Sequence, residues 1–409
     1  MELKHFKSMI APVFGAILAI PLLYIFVYSF FNEFSLNAFL NLNLAAYSLN
    51  TAILLFGSGI LVFILGGLSA FFVTRFEFIG GRFFALTLAL PLAIPSYIVG
   101  YVYNGIFEYS GLLSQLMNTD EYFSILNIWG AIFIFGISMY PYVFIVAKSA
   151  FSGLSNSIDE VVKLQGIGSF KAFFKVYLPL VYPAIFIGLF LVSMEIISDY
   201  GTVVYFGVET FSVGIFKQWF GYSDLQGAIK IAFVLMLFVF TFLMIESRIK
   251  SNTRYATGSF SSKKMEKIQL KGWKEFLVFL FCAILFTIAF IVPLGVLVYW
   301  AILDPQSGSL DLWQYTLGTL SLNLGSSFMI IFLAFVVLYF SLLYGSALSK
   351  IAYKVSLLGY SIPGAVVGIG ALLFFGSLDN LMGKYFFGGS FFVLIFAYLV
   401  RFYPAGVGG

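Results

Sequence analysis

The chain has 409 residues, of which 61% are hydrophobic, 20% aromatic and only 10% charged, and its mean hydropathy is +1.02. A soluble domain is about half apolar and about a quarter charged, so this composition excludes a soluble enzyme, a coiled coil, a disordered scaffold and a secreted disulfide module. One cysteine, Cys282, and one histidine, His5, leave no internal disulfide and no Cys/His metal cluster, and the net charge of +4 reads first as a membrane-topology signal, not as affinity for nucleic acid.

Ten segments are apolar over roughly the 18 residues or more that a helix needs to cross a hydrocarbon core. They are 9–31, 51–73, 84–107, 128–147, 179–197, 228–245, 276–302, 325–347, 353–375 and 389–407. The first has a basic start and no small-residue cleavage pattern, so it reads as an uncleaved helix. Pro91, Pro95 and Pro363, each with Gly nearby, predict kinked or broken helices. The loops fall into two alternating sets. One holds most of the basic residues, among them Lys4, Lys7, Arg75, Arg82, Lys148, Lys163, Lys171, Lys175, Lys350 and Lys354, with a dense group over 246–275. The other is poor in Lys and Arg and carries Glu33, Glu108, Asp120, Glu121, Asp199, Glu209, Asp224, Asp304, Asp311 and Asp379. The positive-inside rule puts the first set, and the N-terminus, in the cytoplasm.

The polar, Ser-rich, basic stretch 246–275 reads as a cytoplasmic linker between two apolar runs that match in order. Ser48-Leu49-Asn50 matches Ser321-Leu322-Asn323, Ile94-Pro95 matches Ile362-Pro363 and Tyr140-Pro141 matches Tyr403-Pro404, each pair about 270 residues apart. The expected organisation is a first six-helix unit over 1–245, the linker, and an incomplete second unit over 276–409, with roughly 100 residues missing after the second Tyr-Pro by comparison with the first run. The expectation is a truncated chain; a genuine ten-helix protein is the alternative.

The loop between the fourth and fifth segments, Ser157 to Pro179, is patterned as helix, break, helix. Ser157 can cap the first helix, Asp159 and Glu160 suit its first turn, and Val161, Val162 and Gln165 share roughly one face. Gly166 and Gly168 stop it, and Pro179 opens the next span. The product is a short amphipathic helix on an elbow, suited to a groove on a partner; a helix lying at the membrane surface is the plainer reading.

This loop resembles the Glu-Ala-Ala motif of ABC importer permeases, in which Glu-Ala-Ala, three residues, Gly, nine residues, Ile, one residue and Leu-Pro follow in order. Glu160, Gly166, Leu178 and Pro179 stand at the motif's spacing, while Val161, Val162 and Val176 replace the two Ala and the Ile. The resemblance implies a coupling helix that seats in a cleft of a separate ATPase subunit, with Glu160 as a polar contact and Gly166 as the turn. The sequence has no Gly-x-x-x-x-Gly-Lys-[Ser/Thr] loop of its own.

The stretch Met194 to Phe216, with Asp199-Tyr200-Gly201-Thr202-Val203, Tyr205-Phe206-Gly207-Val208 and Thr210-Phe211, resembles the segment after the fifth helix of ferric-iron permeases with this fused layout. Related fused permeases carry thiamine, phosphonates or other small anions. From the residues alone, Glu195, Asp199, Tyr200, Tyr205 and Glu209 are oxygen donors of the kind hard cations favour, although no metal site is assigned. They equally suit a re-entrant helix whose carboxylates accept from backbone donors or touch a binding protein. Arg401, inside the last span, lines a pathway, pairs with a carboxylate such as Glu195, or snorkels to the cytoplasmic face.

The sequence therefore predicts an all-α, polytopic transmembrane bundle of about ten spans. The resemblance implies the type I ABC importer permease fold with an incomplete second repeat, working as the non-enzymatic permease subunit for iron(III) uptake in a bacterial inner membrane. It also implies ATP and Mg on the ATPase rather than on this chain, the expected partners being two ATPase copies and a periplasmic or extracellular substrate-binding protein. The alternatives are another small substrate, an ion-gradient secondary transporter, or a non-functional truncated fragment. The expected ATPase contacts are Glu160, Val161, Val162, Gly166, Leu178 and Pro179; the expected pathway or binding-protein contacts are Glu195, Asp199, Tyr200, Tyr205, Glu209 and Arg401.

Overall fold

The structure is a computed structural model and describes residues 2–31, 42–109, 111–117, 123–166, 168–252, 267–303, 311–344, 348, 349, 351, 356, 359 and 362–407. Helices dominate because a segment in lipid must satisfy its backbone donors and acceptors internally. In chain order come α1 (Glu2–Phe31), α2 (Leu44–Arg75), strand β1 (Phe76–Glu77), α3 (Gly81–Thr87), a 3-10 turn at Leu90–Ala93, α4 (Ser96–Phe107), α5 (Leu112–Met117) and α6 (Ile128–Ser152). Then follow α7 (Asn156–Leu164), α8 (Ser169–Ala172), α9 (Leu178–Ser198), α10 (Gly201–Tyr205), α11 (Phe211–Phe216) and α12 (Leu225–Asn252). After strand β2 (Ile268–Gln269) come α13 (Trp273–Phe286), α14 (Val292–Leu303), α15 (Leu312–Tyr344), α16 (Gly364–Met382) and α17 (Phe391–Val407).

Among the described residues eight helices are long and apolar enough to cross a membrane, and the bent pair Gly81–Ala93 and Ser96–Ser114 makes a ninth if counted as one span. Three predicted segments differ from expectation. The third is not one helix: it bends by 91° at Ile94-Pro95, where the proline pushes Ile94 into an extended conformation (φ −110°, ψ 117°). The ninth begins at Gly364 instead of 353, again behind a proline, and most of 352–361 lies outside the described residues. The tenth forms a shorter apolar helix, Phe391–Gly406.

The two proline starts are near copies. Pro95 (φ −55°, ψ 140°) and Pro363 (φ −55°, ψ 137°) each precede the first residue of their helix. Each carbonyl accepts from the residues three and four places on, at 3.0 and 3.2 Å: Ile98 and Val99 in one case, Val366 and Val367 in the other. The two Ile-Pro sites thus share one local geometry.

Two other prolines sit behind single π-helical turns. Phe173–Tyr177 is followed by Leu178-Pro179, and Thr287–Ile291 by Val292-Pro293. Leu178 and Val292 donate five residues back, to the carbonyls of Phe173 and Thr287, so the helix continues through a proline that has no N–H to give. The helix before the fifth span therefore begins at Ser169, not at Pro179. In the second turn the shift strips the Ile288 carbonyl of its helical partner, and the Tyr103 hydroxyl on α4 donates to it at 2.7 Å.

The chain folds into two compact units. One gathers α1, most of α12, α15, α16 and α17; the other gathers α2 to α10 with α13 and α14. These contact units cut across the sequence division at 245 and 276. Helix α1 packs on α15, α16 and α17 of the C-terminal run, while α13 and α14 pack on α3 and α4 of the N-terminal run. The end of the linker is also built in, since β2 pairs in parallel with β1 (Phe76 with Ile268, Glu77 with Gln269); residues 253–266 lie outside the described set.

In the first of these units Tyr24 packs edge-on to Phe374 and Phe14 lies beside Tyr403. In the other, α6 is the most thoroughly buried of the candidate spans. Small residues on its neighbours allow this. A Cβ on Gly66 of α2 would lie 2.7 Å from the Tyr140 carbonyl oxygen, and one on Gly188 of α9 would lie 2.8 Å from Val143 Cα. Gly188→Val is expected to lower stability by about 1–3 kcal/mol through overpacking. Thermal unfolding of the detergent-solubilised protein measures this, and an unchanged midpoint would show that α9 can move off α6 without cost.

Candidate functional site

The elbow between α6 and α9 has a fixed root and a free tip. At its root Ala172, Phe173 and Tyr177 are buried in the core of their unit, together with Phe151 at the end of α6 and Phe71 on α2. Phe71 is the hub. Its ring centroid lies 4.7 Å from that of Phe173, 5.5 Å from Phe151, 5.5 Å from Phe76 and 5.8 Å from Tyr177. Burying each such ring contributes about 1.5–3 kcal/mol, and each aromatic pair about 0.5–1.5 kcal/mol more.

The tip is α7 and the turn after it. The helix begins at Asn156, one residue before the predicted Ser157 cap, and Ile158 N donates to Ser155 O at 3.2 Å; the Ser157 and Asp159 side chains lie outside the described set. Gln165 N closes the last turn on Val161 O at 3.0 Å, and Gly166 takes a left-handed φ of +62°, which a residue with a Cβ adopts only under strain. Ala172 N then bonds Gly168 O at 2.9 Å to open the next helix. Val161 and Val162 do not share a face as the sequence suggested. Val162 is buried, whereas Glu160, Val161, Leu164, Gln165 and Gly166 are exposed. Leu164 is 86% exposed. One apolar ridge, Val161 and Leu164 at helical spacing, thus stands beside the Glu160 carboxylate with no described residue covering it.

The segment after α9 is organised around Asp199. Thr202 N donates to Asp199 Oδ1 at 2.7 Å, Ser96 Oγ donates to Oδ2 at 3.1 Å, and the Thr202 hydroxyl lies 3.0 Å from Oδ2 and 2.9 Å from Ser96 Oγ. Ser212 Oγ donates to the Asp199 carbonyl at 2.7 Å and lies 2.9 Å from Thr210 Oγ1. Burial pushes the Asp199 carboxyl above its ordinary range, against the pull of the hydrogen bonds from Thr202 and Ser96. This clamp ties the end of α9, both short helices after it and the proline-started α4 into one block. Asn50 adds a bond from its side-chain amide to the Glu209 carbonyl at 2.9 Å.

Residues 62–247, which hold both the elbow and the Asp199 block, match the family model described as binding-protein-dependent transport system inner membrane component. Over that part the chain is similar to the membrane component of binding-protein-dependent transport systems. The chain is 23% identical over 349 residues to Fe(3+)-transport system permease protein FbpB 2 of Haemophilus influenzae, covering 83% of this chain and 64% of that protein. It thus spans less than two thirds of that relative's length. It is 24% identical over 190 residues to a sulfate transport system permease protein of Chlorella vulgaris named as probable (45% of this chain, 71% of that one). It is 29% identical over 148 residues to the diacetylchitobiose uptake system permease protein NgcG of Streptomyces coelicolor (36% and 45%).

The fold brings Glu195, Asp199, Tyr200, Tyr205 and Glu209 onto one stretch of one unit but does not converge them into a metal cage. Among the described residues no group of three or more His, Cys, Asp or Glu side chains is placed to hold a metal ion. Glu195 is half-buried in α9, Tyr200 is exposed, and Tyr205 packs against Tyr101 with centroids 6.1 Å apart. Arg401 is in the other unit, half-buried, with its guanidinium against Gly364 and 5.7 Å from the Phe402 ring. Leu178 is half-buried and Pro179 exposed, both following the π turn that fixes the elbow. Sequence reasoning missed Leu164, which the spacing from Glu160 and Val161 could have shown, and Phe71, which only the packing reveals.

Two outcomes follow from this geometry. Phe173→Ala is expected to cost about 3–5 kcal/mol, as truncation of a buried aromatic ring does, measured by chemical or thermal unfolding; a cost below about 1 kcal/mol would mean the root is not held by these rings. Asp199→Ala leaves Ser96 and Thr202 without their acceptor, at about 1–3 kcal/mol per buried group. Hydrogen exchange over 199–213 is expected to accelerate, and unchanged protection there would show that the block is held by other contacts.

Proposed function

We propose that the chain is a permease, the membrane subunit of an ATP-driven importer, and takes its power stroke through the elbow. The observation that carries the reading is the contrast within that loop: Val162, Phe173 and Tyr177 are locked in the core, while Glu160, Val161, Leu164 and Gly166 stand free of it. A rigid root with an uncovered amphipathic tip transmits displacement of a docked partner into α6 and α9. The partner of this reading is a separate ATPase carrying ATP and Mg, in two copies for a complete transporter, with a substrate-binding protein on the opposite face. The loop charge pattern puts the elbow and the N-terminus in the cytoplasm of a bacterial inner membrane.

The substrate of this reading is ferric iron, supported by the relative that the chain matches over most of its length and by the oxygen-rich outer segment. A second reading, an oxyanion, is favoured by the similarity to a sulfate permease. In either case the binding protein sets selectivity and the permease need hold no tight site.

Glu160→Lys reverses the charge at the tip, and Leu164→Asp breaks its apolar ridge. Each is expected to lower ATPase co-purification and uptake by about tenfold or more, the effect of losing about 1.4 kcal/mol of docking energy. Uptake that is undiminished in both variants would overturn coupling through this loop. Radiolabelled ferric iron compared with sulfate, in cells expressing the transporter, separates the two substrates.

A further inference from the structure

Behind the root of the elbow lies a cavity of about 220 Å³ walled by the end of α2, by α3, by the end of α6 and by Tyr177. This is below the roughly 300–1,000 Å³ of pockets that enclose a whole small-molecule ligand. Three cationic residues line it, Arg75, Lys148 and Lys267, and none of its described lining residues is a carboxylate. Each is placed by the fold. Arg75, in the last turn of α2, is buried, with its guanidinium 5.4 Å from the centroid of the Tyr177 ring. Lys267 is carried in by the β1–β2 pairing and donates to the Val73 carbonyl at 2.8 Å. Lys148 donates to the Ala85 carbonyl. Both ammonium-bearing side chains line the same cavity. Glu77 and Arg82 face a neighbouring cavity that Lys267 also lines.

The described partners of both lysines are neutral carbonyls near helix ends, which satisfy one donor each and leave two like charges on one cavity, with Lys148 half-buried and Lys267 exposed. Cations drawn together on one cavity are stabilised by an anion that accepts from several at once. We propose that this cavity is a binding site for a phosphate group, presented by an anionic lipid headgroup at this membrane face or by free phosphate. Basic pockets between membrane helices hold headgroups through this chemistry. The proposal is independent of the substrate and of the docked ATPase.

The test uses the full chain in nanodiscs of phosphatidylcholine alone, of phosphatidylcholine with phosphatidylglycerol, and of phosphatidylcholine with inorganic phosphate in the buffer. The wild-type thermal midpoint is expected to rise by roughly 2–4 °C with one of the two additions, which identifies the source. The double variant Lys148→Gln with Lys267→Gln keeps a donor for each carbonyl and removes both charges, so it should lose the rise; Lys148→Arg with Lys267→Arg should keep it. If wild type responds to neither addition, or the Gln variant responds as fully as wild type, the site is refuted. The same holds if the Gln variant is lowered equally in all three preparations while its response to the additions persists, because the lysines then act only as helix-end caps. Should the double Gln variant not fold, Lys267→Gln alone decides: a response equal to wild type refutes the site, and a diminished one supports it.

Discussion

The larger unit depends on α6 being held at backbone distance by two neighbours. Lipid offers no hydrophobic drive for helices to associate, so close packing and shape must supply it. Gly66 on one side and Gly188 on the other bring α2 and α9 against the same stretch of α6, around Tyr140 and Val143. Everything at the end of that stretch inherits its position from this approach: the aromatic cluster on Phe71, the turn out of α6, and the elbow that begins four residues after Ser152.

Prolines set the second constraint, and the fold answers them in two ways. Where a proline opens a helix, as at Pro95 and Pro363, the preceding residue cannot continue a helix and the chain changes direction. Where it falls just inside one, as at Pro179 and Pro293, a single π turn ahead of it carries the helix through. The second solution exposes carbonyls, and the Tyr103 bond to Ile288 shows how a neighbouring helix uses one for attachment. The proline positions thus decide both where the chain bends and where α14 and its π turn dock on α4.

The elbow combines opposite demands. Its root must be stiff, and Phe71, Phe151, Phe173 and Tyr177 make it so; its tip must stay available, and Val161 and Leu164 remain uncovered. The basic cavity lies against the same Tyr177 ring, so a phosphate held by Arg75, Lys148 and Lys267 would brace the root. On the other side of the unit the Asp199 clamp serves geometry in the same sense, spending a carboxylate on hydrogen bonds to Ser96 and Thr202 that keep α4 and the end of α9 together.

Composition alone determined that the chain lives in lipid, because 10% charged residues cannot solvate a surface. Apolar runs located nearly every long helix, since a span has one length and one hydropathy. The spacing of Glu160, Gly166 and Leu178-Pro179 located the elbow, because a left-handed turn and a proline leave marks in sequence. Three things were decided only in three dimensions. Val162 faces the core while Val161 faces out, because a helix side is buried or free only according to what packs on it. The oxygen donors from Glu195 to Glu209 form no cage, because proximity in sequence does not make side chains converge. And α1 joins the C-terminal helices while α13 and α14 join the N-terminal ones, because contacts between distant segments leave no local pattern to read.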